Sequence, residues 1–468
     1  MSSAGKAEQL RSLVRLFSDA AEVAISEWES QEKSPASDAG HTVPSFALHN
    51  ACRTILGVSG MCADLCQEPG IRLTEIACYN FLARALHIAV QSGIPDILAE
   101  AEPQTGMSSH EISRRTGIHE QKLTRVLRTL CTFHIFLEVR DHHFANSRTS
   151  QVLVGDEYLR CWILLHGIEL FTASDELLPL LLNPVKGHST SNRETAWQEA
   201  IGSDQTVWEY LEQKVEQPDG TLVPRPSLAV WAHGMVAGGR ADASCLDADY
   251  PWESLGNSTV VDVGGGAGGT SLDLSRKFPN LSFVVEDRPS TIQQAEYVWA
   301  HEYPQAIQMG RVKLVPHNFF SRQPIRGAEV YFMRYILSVS FFTSRQHLDL
   351  TLASASSHDW PDDECVTILS HLCDAMSPTS KLLIVDKVLN TSVGSDQLKP
   401  APFPLPANYG VAQAFGNLHD LAMMACHNGM ERTPEMLETV AQRAGLKITK
   451  IWESRSTMSI TEMVRERA

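Results

Sequence analysis

The sequence predicts an α/β protein: a doubly wound, mostly parallel sheet in the C-terminal half, preceded by a mainly α-helical part that includes a winged helix. Three observations carry this expectation. From Thr259 onward, short apolar runs alternate with helical stretches, the texture of strand–helix–strand units. A cluster of glycines follows the first of these runs directly and precedes a helix. Upstream, residues 108–144 spell helix, turn, helix and hairpin.

Taken in order, Leu10, Leu13, Val14, Phe17, Ala21, Ala24 and Ile25 recur at helical spacing between Glu8 and Glu29, and the polar stretch from Gln31 to Ser45 reads as a loop. A helix is expected over Glu75 to Gln91, closed by Gly93, with a short one around Pro95 to Ala99. Ser108 and Glu111 form the signature of a capping box. Gly117 then breaks that helix, Gln121 to Phe133 is amphipathic, and Leu137 to Phe144 suits a small hairpin. Residues 150–250 read as largely helical, with Trp162, Phe171, Trp197, Trp208 and Trp231 as core or pocket lining. The expected strands are Val260 to Val263, Leu281 to Val285, Val312 to Val315, Glu329 to Phe332 and Leu382 to Asp386. This gives four parts: an N-terminal helix and linker (1–45), a helical and winged-helix domain (46–155), a helical connection (156–250) and the sheet domain (251–468).

Composition narrows the function. The 468 residues carry 55 acidic against 39 basic side chains, and a net charge of -16 repels a phosphate backbone, so the winged helix is not expected to read DNA. The N-terminus lacks the apolar run of a signal peptide and no stretch is long enough to span a membrane, so a cytoplasmic protein without a membrane partner is expected. Ten cysteines without a CxxC pair or a Cys/His cluster favour buried thiols over disulfides, and no metal is expected.

The run VVDVGGGAGG places Asp262 in the strand and Gly264, Gly265 and Gly266 in the turn. Glycines there allow a tight turn and a close approach of a ligand to the backbone beside a helix N-terminus. Asp287, ending the next strand in VVEDRP, suits a ribose diol, because one carboxylate accepts from two hydroxyls. Asn318 and Phe319, after the third strand, suit an adenine, although Asn318 also fits a simple turn. These features alone leave two cofactors open. Gly264, Gly266 and Gly269 also satisfy the dinucleotide pattern, so an NAD(P)-dependent oxidoreductase stands beside an S-adenosylmethionine enzyme.

Two further runs, HDWPDDECVTILSHLCDAM from His358 and HNGMERTPEM from His427, decide between them. Together with DVGGGAGG they resemble the plant and fungal small-molecule O-methyltransferases, the caffeate and flavonoid enzymes and their fungal secondary-metabolite counterparts, from about residue 75 to the end. The resemblance implies a class I methyltransferase fold with a winged-helix dimerisation domain, S-adenosyl-L-methionine as cofactor, a homodimer and a small phenolic or polyketide-like acceptor. It implies His358 as general base, Asp386 and Glu431 as the carboxylates flanking it, and Arg334 near the cofactor. Many relatives carry Glu at the place of Asp386 and Asp at that of Asn318. The chemistry suits a histidine, since a phenol of pKa about 10 needs a base of pKa about 6.5 to become a nucleophile at neutral pH. Met423, Met424 and Asn428, just before the Glu431 motif, are candidates for contact with the acceptor, or ordinary core.

One departure stands out. In relatives the strand runs almost directly into the histidine, as in FMRYILHDW, whereas here residues 338–357 separate Leu337 from His358. Two origins fit, a retained intron of a whole number of codons or a true loop insertion, and loops at strand ends tolerate added length cheaply. A methyltransferase-like regulator without activity is the non-enzymatic alternative.

Overall fold

The computed structural model describes residues 2–33, 43–337 and 362–466. His358 and the 338–357 segment lie outside the described residues, as does most of the expected 31–45 linker. The chain forms two compact units, one of residues 1–67, 177–210 and 239–468, the other of residues 68–176 and 211–238.

The larger unit is built on a seven-stranded sheet. Its strands are β1 (Thr259–Val263), β2 (Ser282–Asp287), β3 (Val312–Pro316), β4 (Val330–Arg334), β5 (Lys381–Asp386), β6 (Leu446–Trp452) and β7 (Ser459–Arg465). They lie in the order β6-β7-β5-β4-β1-β2-β3. The five strands expected from the sequence are present and mutually parallel, while β7 runs antiparallel to both β5 and β6. That reversed strand separates this sheet from the all-parallel dinucleotide-binding order.

Both faces are covered, which is why the strands read as continuous apolar runs rather than alternating ones. Val261, Val263, Tyr331, Met333, Leu382 and Ile384 share one core with Ile368, Leu369 and Leu437 from covering helices. Val260, Phe283, Val285, Phe332, Leu383 and Val385 face the other way, onto Trp252 and Trp299. Each fully buried aliphatic chain contributes about 1.5–3 kcal/mol relative to exposure, so period-two assignment to the two cores fixes the register of every strand.

The N-terminal helices, Ser3–Lys33 and Phe46–Cys66, belong to this unit. Ser45 caps the second by accepting from the Leu48 N–H at 3.0 Å while its hydroxyl donates to Glu27 at 2.7 Å. Leu13 and Val58 are buried against Leu405 and Tyr409. The first helix runs four residues further than the Glu29 limit read from the sequence.

The smaller unit contains the expected winged helix. Ser109–Thr116 and Glu120–Thr132 are followed by strands Phe136–Arg140 and His143–Asn146, around a core of Ile112, Leu123, Leu127, Leu130, Phe136 and Phe144. Ser108 caps the first helix by accepting from the Glu111 N–H at 3.2 Å, whereas the Glu111 carboxylate pairs with Arg114 and Arg115. One expectation needs correction. The helix over 75–91 is two, Pro69–Ala77 and Tyr79–Gln91, because the Cys78 N–H tightens onto the Glu75 carbonyl. The 150–250 region is largely helical as expected, interrupted by Lys214–Glu216 and Leu222–Pro224, which pair as a hairpin over a Pro218-Asp219-Gly220 turn with Gly220 at φ +83°.

Candidate active site

The cofactor loop grows out of β1. Gly264, Gly266 and Gly268 have φ of +70°, +61° and +81°, a region closed to most side chains. A Cβ at Gly264 would stand 2.7 Å from Ile336, and one at Gly268 only 2.5 Å from the Trp299 indole nitrogen. Under this loop, Asp262 is buried and accepts from the Ser271 hydroxyl at 2.6 Å; burial pushes its carboxyl up to about 6. Asp287, at the end of β2, accepts from the N–H groups of Gly266 at 2.9 Å and Arg288 at 2.7 Å. A carboxylate has about four acceptor positions, so two remain for the hydroxyls of a ribose.

Asn318 accepts at its side-chain oxygen from the Phe320 N–H at 3.0 Å, the turn geometry that the sequence also allowed. Phe319 reaches the glycine loop, 3.5 Å from where a Cβ of Gly264 would be. Arg334, ending β4, donates to the Thr270 hydroxyl at 3.0 Å and to the Gly239 carbonyl at 3.1 Å. It thereby ties β4 to the helix that starts at the glycine loop. The strand ends of β1, β2 and β4 thus bring Asp262, Asp287 and Arg334 to the same edge of the sheet. A backbone cradle that excludes side chains and a carboxylate with spare acceptor positions fit an adenosyl group.

The second cluster lies at the end of β5. A backbone bridge between Val388 and Arg432, with the Leu389 N–H donating to the Arg432 carbonyl at 3.0 Å, sets the segment after Asp386 beside the one holding Glu431. Asp386 and Glu431 are both buried, at 3% exposure each. Lys387 reaches to 3.6 Å from Glu431 and the His419 imidazole to 2.9 Å. Arg432 donates to the Leu337 carbonyl at 2.6 Å and to the Asp362 carboxylate at 2.8 Å. One buried guanidinium therefore holds both described ends of the chain that flank His358.

Met423 is buried and Met424 partly so on the helix Ala414–His427. Asn428 closes that helix at φ +54°, and its amide donates to the Ser191 and Glu194 carbonyls at 2.7 and 3.1 Å. Sequence reasoning missed His419, Asp420, Lys387 and Arg432. The last two adjoin residues it singled out, but His419 shows itself only as a polar residue one helical turn before Met423, on the buried face. Among the described residues, Glu157, Cys161 and His233 bring metal-capable atoms within 4.8 Å; they belong to the smaller unit, and the 3.5 Å Glu157–His233 ion pair accounts for their proximity.

Comparison with known proteins fits this geometry. Residues 252–447 match the O-methyltransferase domain and residues 75–156 the O-methyltransferase dimerisation domain. The chain is 42% identical to the O-methyltransferase gedA of Aspergillus terreus, over 99% of this chain and 98% of that protein. The chain belongs to the O-methyltransferase family. It is also 39% identical to O-methyltransferase tpcA of Aspergillus fumigatus, over 98% of this chain and 96% of that protein. Among solved structures, CalO1, a methyltransferase of calicheamicin biosynthesis in its S-adenosylhomocysteine-bound form, superposes with a TM-score of 0.61 at 25% identity, over 85% of this chain and 98% of that one. The O-methyltransferase is thus an S-adenosylmethionine-dependent enzyme of the fungal secondary-metabolite type, with the class I fold that the sequence predicted. None of its described helices is long and apolar enough to cross a membrane.

Proposed function

We propose that this O-methyltransferase methylates a hydroxyl of a small aromatic metabolite, with His358 as the general base and Asp386 and Glu431 orienting it. The observation that carries this reading is the pairing of the segments after Asp386 and around Glu431 at the guanidinium that also grips Leu337 and Asp362. His358 belongs to the stretch between those two residues.

In this mechanism S-adenosylmethionine supplies an already activated methyl group, so the protein's work is proton removal and alignment. Asp287 would hold the ribose, Phe319 and Asn318 the adenine, and Asp262 and the Gly264–Gly266 backbone the rest of the cofactor, with Arg334 bracing the loop. His358 would take the acceptor's hydroxyl proton, so that the oxygen receives the methyl group in line as the methyl–sulfur bond breaks and S-adenosylhomocysteine leaves, and the two carboxylates would stabilise the imidazolium. Met423 and Met424 are suited to contact an acceptor ring, while the amide of Asn428 is committed to backbone carbonyls, leaving it a role in shaping the wall.

The grip of Arg432 on both flanks also supports reading residues 338–357 as removable, since the remaining link from Leu337 to Asp362 is four residues, His358 to Pro361. The test is O-methylation of a panel of phenols and hydroxylated polyketides, followed by mass spectrometry, on chains with and without residues 338–357. Methylated product from either form supports the reading, and a panel without product from either, under conditions where S-adenosylhomocysteine binds, contradicts it.

A further inference from the structure

Strand β4 does not end in an ordinary turn. The Tyr335 N–H still donates to the Val385 carbonyl at 3.0 Å, one residue past Arg334, yet Tyr335 itself has φ +58°. A left-handed backbone is rare for a bulky side chain and persists only where the surrounding contacts hold it. Tyr335 enters the core that contains Leu246, Phe332 and Met458, whereas Ile336 enters the core on the opposite face of the sheet. The end of the Ile336 side chain then lies against the glycine loop, 2.7 Å from where a Cβ of Gly264 would stand.

The contact that holds this turn is made by the hydroxyl. Tyr335 is buried, and its hydroxyl donates to Oδ2 of Asp242 at 2.8 Å. Burial and the Asp242 carboxylate push the phenol well above its ordinary value, against the Arg334 guanidinium, so the group stays a neutral donor. Asp242 is buried as well, and its other oxygen accepts from the N–H and the hydroxyl of Thr457, both at 3.2 Å. Asp242 lies one helical turn after Gly239 on the helix Pro226–Asp249, and Gly239 is the residue whose carbonyl takes Arg334. One turn of that helix therefore grips two successive residues at the end of β4, Arg334 through a carbonyl and Tyr335 through a carboxylate. The Arg334 guanidinium also stands 4.9 Å from the centre of the Tyr335 ring, and its second nitrogen reaches Thr270 in the first turn of the helix after the glycines.

We propose that Tyr335 is a positioning residue for S-adenosylmethionine binding: its hydroxyl, anchored on Asp242, holds the left-handed turn that sets Arg334 against the helix after the glycine loop and Ile336 against Gly264. This inference rests on the reading of the Gly264–Gly268 loop as the cofactor's cradle. Tyr335 touches no part of the cofactor in this scheme. It acts through Arg334 and Ile336, by keeping the loop backbone in the shape that the cofactor meets, so that binding does not have to order it.

The experiment compares Tyr335→Phe, which keeps the ring and loses the donor, with Thr457→Val, which removes a different donor from the same carboxylate, and with Asp287→Ala as the reference for the cofactor site. In the full-length protein, S-adenosylhomocysteine affinity is read by calorimetry and stability by thermal melting, neither of which requires turnover. Tyr335→Phe should weaken binding about tenfold and Thr457→Val should stay within about twofold of the parent, although both lower the melting temperature. A bond with only a structural role would move the melting temperature alone. If Tyr335→Phe does not fold, Asp242→Asn weakens the same bond while keeping its shape and carries the test, with an expected loss of about threefold or more. A Thr457→Val protein that binds as weakly as Tyr335→Phe overturns the inference, as does an Asp242→Asn protein with the parent's affinity. If Asp287→Ala loses affinity and Tyr335→Phe does not, only this inference fails. If Asp287→Ala also binds like the parent, the underlying reading of the cofactor site fails and the positioning role falls with it.

Discussion

At the scale of single residues, the site is a set of buried acids whose environments differ. Asp262 has its carboxyl raised by burial to about 6, against a value near 3.9 in an unfolded chain. Between these two values the folded protein binds more protons than the unfolded one, so this group's contribution to stability falls as pH rises through that window and is constant above it. Asp262→Asn keeps an acceptor for the Ser271 hydroxyl and removes the titration. The stability of the Asn variant relative to the parent should therefore improve from pH 4 to pH 7, by at most about 3 kcal/mol, as measured by urea denaturation at the two pH values. An unchanged difference would mean that Asp262 is not desolvated as described. Which residues lie in the candidate site was partly legible beforehand. Asp287 and Asp262 announce themselves because they end or interrupt apolar strands, where a charge needs a reason. His419 does not, because a histidine on a helix acquires its meaning only from Glu431, which the fold delivers from twelve residues away.

At the scale of elements, the parallel strands were legible because both faces are buried and Val, Ile and Leu run on without interruption. The reversal of β7 was not: a strand with Thr461 and Glu462 in its centre, where Tyr250 donates to Glu462 at 3.2 Å, has no sequence mark of direction. The break at Cys78 was hidden for a similar reason, since the apolar spacing continues across it and only the shift of one backbone hydrogen bond divides the helices. The glycine loop was legible as a turn but not in its reason. Gly268 caps the helix Gly269–Lys277 in a left-handed conformation, and a Cβ there would stand 2.5 Å from the Trp299 indole nitrogen. Gly268→Ala is thus expected to cost about 1–3 kcal/mol of stability and to weaken S-adenosylhomocysteine binding at least about tenfold. Thermal melting and calorimetry check both effects, and an alanine variant that binds as tightly as the parent would refute the account of the loop.

At the scale of the whole molecule, the match to a dimerisation domain agrees with a surface that a solitary chain would not leave bare. Ile71, Leu73, Ile76, Tyr79 and Phe81 are exposed on consecutive helices of the smaller unit, within or beside the matched residues 75–156. Such a patch marks an interaction surface, and a homodimer is the proposed occupant. Light scattering at micromolar concentration should give twice the mass of the chain, and a Leu73→Glu, Phe81→Glu double variant should give one; a monomeric parent would contradict the proposal. On that proposal the winged helix would serve assembly, the role expected for it from the net charge of -16.

The central claim is that methyl transfer depends on a base carried by the segment whose flanks Arg432 holds. The measurement that tests it most directly is S-adenosylhomocysteine release with an accepted phenol, comparing His358→Ala with the parent chain in whichever form, with or without residues 338–357, turns over. The account predicts a loss of at least about a hundredfold in kcat, with calorimetric affinity for S-adenosylhomocysteine within about threefold of the parent. An alanine variant that turns over at the parent rate would contradict it and would move the search for the base to another residue.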